Sequence, residues 1–184
     1  MKSGHGGIFR NAREAIVFAL NFSGAQYSTS SLGNLAQAGA IGSGRGLSGL
    51  EGAAQAGMVK RRLAELDAHL LAALIARCSP LKVKDPSGEA FTDGEAWAQA
   101  VSEMATYLGS LRDFDSASDV VMRCAVRKYF GEKQTIQEIA DKARMHRVTA
   151  NNQHTTIKRA LEGIEAEAWD VFSKSLSVGG MLQE

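Results

Sequence analysis

Apolar residues along this chain recur at steps of three and four, and that spacing predicts helices from end to end. The first covers residues 8–22, where Ile8, Ala12, Ala15, Ile16, Ala19 and Leu20 make one stripe. A second is expected as one long helix over residues 49–78. Its stripe is Val59, Leu63, Leu66, Leu70, Leu74 and Ile75, with Lys60, Arg61, Arg62, Glu65 and Asp67 mostly off it. Pro80 and Pro86 stop that helix, with a turn at Pro86, Ser87 and Gly88. The stretch "TDGEAWAQAVSEMATYLGSL", residues 92–111, starts another helix, which Thr92 or Asp93 can cap, and it aligns Trp97, Val101, Met104, Ala105 and Leu108 on one face.

After a polar break at residues 113–119, three further helices follow in close order. Residues 120–130 form a short amphipathic helix ending near Gly131. Thr135 and Glu138 then match the T-x-x-E capping box, with Ile136, Ile139 and Ala140 facing inward. A four-residue turn, 144–147, places Arg144 where a glycine is usual. Beyond it Ala150, Ile157, Leu161, Ile164, Ala168 and Val171 continue an apolar stripe with one polar member, His154. Trp169 and Phe172 belong to the same packed side. The fold class expected is all-α: a helical bundle with a C-terminal helix-turn-helix and a long Gly-rich N-terminal loop. In chain order the divisions are 1–48 (helix and loop), 49–115 (central helices) and 116–184 (helix-turn-helix with a C-terminal helix).

Composition narrows the class. At 45% hydrophobic and 22% charged residues over 184 positions, the chain has the balance of a globular domain rather than a disordered one. No apolar run approaches the ~18 residues of a membrane span. Arg10, Arg13 and Glu14 interrupt the one N-terminal segment that suggests a signal peptide, so a cytoplasmic protein without a membrane partner is expected. Cys78 and Cys124 are solitary, which excludes a C-x-x-C knuckle, and the four histidines lack metal-ligand spacing. Neither a metal nor a cofactor is expected.

Residues 23–48 are nearly uncharged and dominated by Gly, Ser, Ala and Asn. Inside and just after this segment, Gly39 to Gly46 reads G-x-x-x-x-G-R-G, and Gly44, Gly46 and Gly49 satisfy G-x-G-x-x-G. Both phosphate signatures fail on chemistry. A Walker loop needs lysine where Arg45 stands and a hydroxyl where Gly46 stands, and either loop needs a buried strand before it. The preceding residues are polar and broken. No nucleophile elbow appears either, so an enzyme is not expected.

Charge is informative by its placement. The net charge is +1 for the whole chain, but residues 121–161 carry nine basic side chains against three acidic ones, and residues 162–184 reverse the sign. The basic block coincides with the three close-set helices, which is the arrangement of a helix-turn-helix. There the second helix braces the third, and the small Ala140 suits their crossing. The third helix presents Thr149, Asn151, Asn152 and Thr155, side chains able to bond base edges in the major groove. Arg144, Arg147, Lys158, Arg159 and Lys133, with Lys128, suit phosphate contact. The Asn-Asn-Gln-His run, residues 151–154, has poor helix propensity and no packing use, which adds to the DNA reading.

Residues 125–161, "AVRKYFGEKQTIQEIADKARMHRVTANNQHTTIKRAL", resemble the region-four helix-turn-helix of sigma factors. Ahead of them stand "GIFRNAREAIVFALNF", a Gly-Ser spacer and "GRGLSGLEGAAQAGMV". That order resembles the prophage-type Q family of processive transcription antiterminators. The resemblance implies two steps. The protein would bind DNA beside a promoter and load onto a promoter-proximal paused RNA polymerase holding its sigma factor. It would then travel with the enzyme and narrow the RNA exit channel so that terminator hairpins do not form. Double-stranded DNA, RNA polymerase with sigma factor and nascent RNA are the partners implied, with Gly42, Gly44, Arg45 and Gly46 as contacts to polymerase or RNA. Some members of the family carry a zinc-binding cysteine cluster; this chain has none. The alternative is a conventional helix-turn-helix activator or repressor acting at initiation, with the loop as a linker.

Overall fold

The computed structural model describes residues 7–22, 49–85, 87–88 and 90–183. Among them the chain is mostly helical, with seven α-helices and two three-residue strands. No helix among the described residues is long and apolar enough to cross a membrane. Gly42, Gly44, Arg45 and Gly46, the loop contacts expected from the sequence, lie outside the described residues. By contact the chain forms two compact units, Met1–Leu66 with Val171–Glu184, and Asp67–Asp170.

The first unit contains α1, Ala12–Asn21, and α2, Gly49–Ala64, which pack on each other. Helix α1 starts four residues later than its stripe suggests. The Asn11 side chain accepts a hydrogen bond from the Glu14 amide at 2.9 Å, and this cap ends the helix upstream. Phe9, expected inside the helix, instead bridges the C-terminal segment. Its amide donates to the Met181 carbonyl at 3.0 Å and its carbonyl accepts from the Gln183 amide at 2.8 Å. Gly7 lies so close to this segment that an added Cβ would fall 2.0 Å from the Leu182 oxygen, an approach open to glycine alone. Phe9, Ile16, Val59, Leu63, Phe172, Leu176 and Met181 are buried in this unit.

The second unit begins where the expected long helix breaks. Residues 65–67 interrupt it, and α3, Ala68–Cys78, starts afresh after Asp67 in an N-cap conformation. The apolar stripe runs on through Leu66 and Leu70, so periodicity alone conceals the break. Next comes a hairpin that the sequence reading lacks: β1, Lys82–Lys84, pairs antiparallel with β2, Phe91–Asp93. Its turn uses Gly88 at φ 76°, whose amide donates to the Asp85 carbonyl at 2.9 Å. Three-residue strands with lysines are too short for alternation to announce them.

Helix α4, Glu95–Gly109, packs against α3 and against α5, Asp119–Tyr129, with a 3-10 turn at Arg112–Phe114 between α4 and α5. Thr92 and Asp93 do not cap α4; both are strand residues, and Gly94 holds the cap position without a side-chain bond. Helix α6, Ile136–Lys142, packs against α5, and α7, Arg147–Val178, follows after a short turn. The third helix of the close-set group and the C-terminal helix after it form one helix of 32 residues, along the single stripe that starts at Ala150. Its stripe through Ile157, Leu161 and Ala168 leads directly into Phe172 and Leu176, all buried.

Candidate nucleic-acid interface

Helix α6 forms where the T-x-x-E signature places it. The Thr135 hydroxyl accepts from the Glu138 amide at 3.2 Å, and the Glu138 carboxylate accepts from the Thr135 amide at 2.7 Å. The backbone hydrogen bond from Thr135 holds the Glu138 pKa below its usual value. Ile139 and Ala140 are fully buried in a helix that packs against α5.

The turn then reverses the chain in a strained way. Arg144 has φ 51°, the one positive φ among the described non-glycine residues, so it occupies the glycine position that the sequence assigned it. His146 starts α7. Its carbonyl accepts from the Ala150 amide at 3.1 Å and its Nδ1 accepts from the Val148 amide at 3.3 Å. Ala150, Ile157 and Leu161 face inward, each with 1% exposure or less.

The polar residues of α7 divide. Thr149, Asn151, Asn152, Lys158 and Arg159 are exposed, as are Arg144, Arg147 and Lys133. Thr155 is half-buried and its hydroxyl donates to the Asn151 carbonyl at 2.8 Å, so toward a ligand it can accept but not donate. Gln153 and His154 overturn the expectation that residues 151–154 have no packing use. Gln153 accepts from the Ser118 amide at 3.3 Å and donates to the Ser116 carbonyl at 3.5 Å, satisfying backbone at the start of α5. Ser118, at the N-cap of α5, makes no side-chain cap bond of its own. His154 is half-buried; burial, then the nearby charges of Lys128 and Lys158, push its pKa below the usual histidine value.

The basic block also divides. Lys128 is half-buried and its ammonium donates to the Gln134 carbonyl, so it is engaged at the entry to α6 rather than free for phosphate. The Arg127 guanidinium is held by Glu132 and, at 2.6 Å, by Asp93, and stacks 4.8 Å above the Trp97 ring. Burial would lower the Arg127 pKa, but these carboxylates outweigh it and raise it. By contrast Lys133, Lys142, Arg144, Arg147 and Arg159 make no ion pair among the described residues. Lys158 reaches Glu162 at 3.4 Å, with both side chains about half exposed. From Lys142 to Leu161 the chain carries five cationic side chains and not one carboxylate.

A clasp farther along α7 sets the rotation of the helix. Glu165 accepts from Arg77 Nε at 2.7 Å and Nη2 at 2.6 Å, from the Tyr129 hydroxyl at 2.7 Å and from the Trp169 indole at 3.2 Å. Arg77 lies 5.0 Å from the Tyr129 ring centre and 5.1 Å from that of Phe130. Burial would raise the Glu165 carboxyl, but the bonds from Arg77, Tyr129 and Trp169 win and lower it. Burial and the adjacent Glu165 push the Tyr129 hydroxyl up to about 12. No single residue of this clasp carries a sequence signal, because its members are up to 92 positions apart.

Other surfaces of this unit have less order. An open depression of about 360 Å³ is lined by His69, Ser102, Glu103, Thr106 and Tyr107, with the His69 ring stacked on Tyr107 at 4.2 Å. Glu103 accepts from Gln99 at 2.9 Å, and no hydrogen bond among the described residues links Ser102 to His69. Among the described residues no group of three or more His, Cys, Asp or Glu side chains is placed to hold a metal ion. No family model, no curated protein and no solved structure matches the chain.

Proposed function

We propose that α6 and α7 act as a DNA-binding helix-turn-helix and that the protein is a transcription antitermination factor. The observation that carries the DNA step is the run from Lys142 to Leu161, which holds no carboxylate of its own and on which exposed Thr149, Asn151 and Asn152 stand among Arg144, Arg147, Lys158 and Arg159. Amides and hydroxyls match base edges, and guanidinium and ammonium groups match phosphate. The capping box, the buried Ala140 and the left-handed Arg144 support a helix pair of this kind.

The polymerase step is supported by the order of segments that resembles the Q family. On this reading the protein engages DNA beside a promoter, joins a paused RNA polymerase with its sigma factor, and suppresses terminators downstream by acting at the RNA exit channel. The segment 23–49 supplies a small-residue contact to polymerase or RNA, with Gly42, Gly44, Arg45 and Gly46 as the contact residues.

Transcription in vitro with purified polymerase and sigma factor, on a promoter followed by a distant terminator, tests the whole reading. Longer products that pass the terminator are expected, with no more than a modest change in the number of starts. A change in starts alone, at constant product length, would replace this reading by that of an initiation regulator. Deleting residues 38–46 is expected to spare DNA retention and remove read-through; unchanged read-through would take the loop out of the mechanism.

A further inference from the structure

The exposed residues at the start of α7 do not all share one direction. Ala150, Ile157 and Leu161 are buried and set the inward side. At 3.6 residues per turn, the residues nearest the opposite direction are Val148, Asn152, Thr155 and Arg159; Val148, Asn152 and Arg159 are exposed and Thr155 is half-buried. Thr149 and Asn151 fall on the flanks. The centre of the outward face therefore opens on an apolar side chain that reasoning from polar residues passes over.

Val148 is 59% exposed. Its β-branched side chain has one strongly preferred rotamer in a helix, so the isopropyl group is presented rigidly. The residue one turn on along the same face is Asn152, and the Asn152 carbonyl is occupied by the Thr156 hydroxyl at 3.2 Å while its side-chain amide is exposed. The run from Lys142 to Leu161, with five cationic side chains and no carboxylate, complements a polyanion. Within duplex DNA the major groove offers one chemical match to this pair. Thymine alone presents a methyl group there, and adenine is the base that an asparagine side chain bonds bidentately.

We infer that Val148 is a specificity-determining residue that packs on the C5-methyl group of a thymine, with Asn152 reading an adenine one helical turn along the same face. The inference rests on the DNA-binding reading of α7 and adds to it the class of base step preferred, one containing thymine and adenine, and the residue that selects the methyl.

The test selects duplexes from a random-sequence library with the full chain, then replaces each thymine of the enriched site by deoxyuridine, which removes the methyl group alone. One replacement is expected to weaken wild-type binding about fourfold, the worth of one buried methyl group. Val148→Ala should be indifferent to that same replacement, whereas Asn152→Ala should remain sensitive to it. Alanine at this exposed position favours the helix, so the variant's melting temperature should not fall. If every replacement costs Val148→Ala as much as it costs the wild type, the inference is overturned and the DNA reading stands. If no sequence is enriched and retention on DNA ignores salt, the DNA reading fails and this inference fails with it.

Discussion

Arg144 bears two requirements at once: the turn between α6 and α7 needs a left-handed residue, and the basic surface needs a cation. At φ 51° an L-residue with a Cβ is strained, by about 1 kcal/mol in a position of this type. Arg144→Gly should therefore raise stability by about that amount. The same change should weaken DNA retention and make the salt dependence shallower by about one phosphate contact. Thermal melts beside filter retention at several salt concentrations read both. A glycine variant that gains stability and keeps full retention would leave Arg144 as a turn residue without a ligand.

His154 works at the same scale through protonation. Its pKa in the folded chain lies below the usual value, first because of burial and then because of Lys128 and Lys158. The unfolded chain then binds a proton that the folded chain resists, so stability is full above the ordinary histidine value and falls as the pH drops through it. His154→Leu should flatten this acid-side slope in melts taken between about pH 7 and 5. An unchanged slope would assign the pH response to other groups.

At the scale of elements, the fold depends on how α7 is gripped. Glu165 joins α7 to Arg77 of α3 and Tyr129 of α5. The Arg77 and Glu165 side chains are 29% and 14% exposed, so the pair is only partly screened. Glu165→Gln should cost about 2 kcal/mol in denaturant unfolding, since it leaves a half-buried guanidinium without its counter-charge. A loss within error would show that packing rather than the clasp holds the helix. Tyr129 gives the complementary alkaline signal. Its pKa rises from 10.0 unfolded to about 12 folded, so its contribution is full below 10 and is lost as the pH climbs toward 12. Tyr129→Phe should remove that loss; a variant still declining over this interval would point elsewhere.

Elements were legible in the sequence where a local rule governs them. The capping box at Thr135 and Glu138 lies within one turn of chain and the stripe of α4 within one continuous helix, and both stand where they are expected. The break at residues 65–67 was hidden because the apolar stripe runs through it, and the hairpin because three-residue strands have no usable period. In α7 the stripe was the better guide. A change in charge sign near residue 162 looks like a boundary, but the backbone follows the apolar stripe, which continues unbroken to Leu176.

For the whole molecule, electrostatics supplies the first measurement. If Lys142, Arg144, Arg147, Lys158 and Arg159 each meet a phosphate, retention on DNA should fall about 500-fold between 50 and 200 mM salt. A flat response would remove the nucleic-acid partner whatever the shape of α6 and α7. The sequence alone determined the helical class, the capping box, the glycine-like place of Arg144 and the position of the basic block, because each is written in spacing, propensity or charge within a few residues. Only the tertiary structure decided which of those residues are free to act. It consumed Arg127 in ion pairs with Asp93 and Glu132, turned Lys128 onto a carbonyl, gave Gln153 the backbone of α5 to satisfy, and left Val148 uncovered on the outward face. The reason is physical: burial and pairing are relations between segments distant in the chain, and neither periodicity nor composition records them.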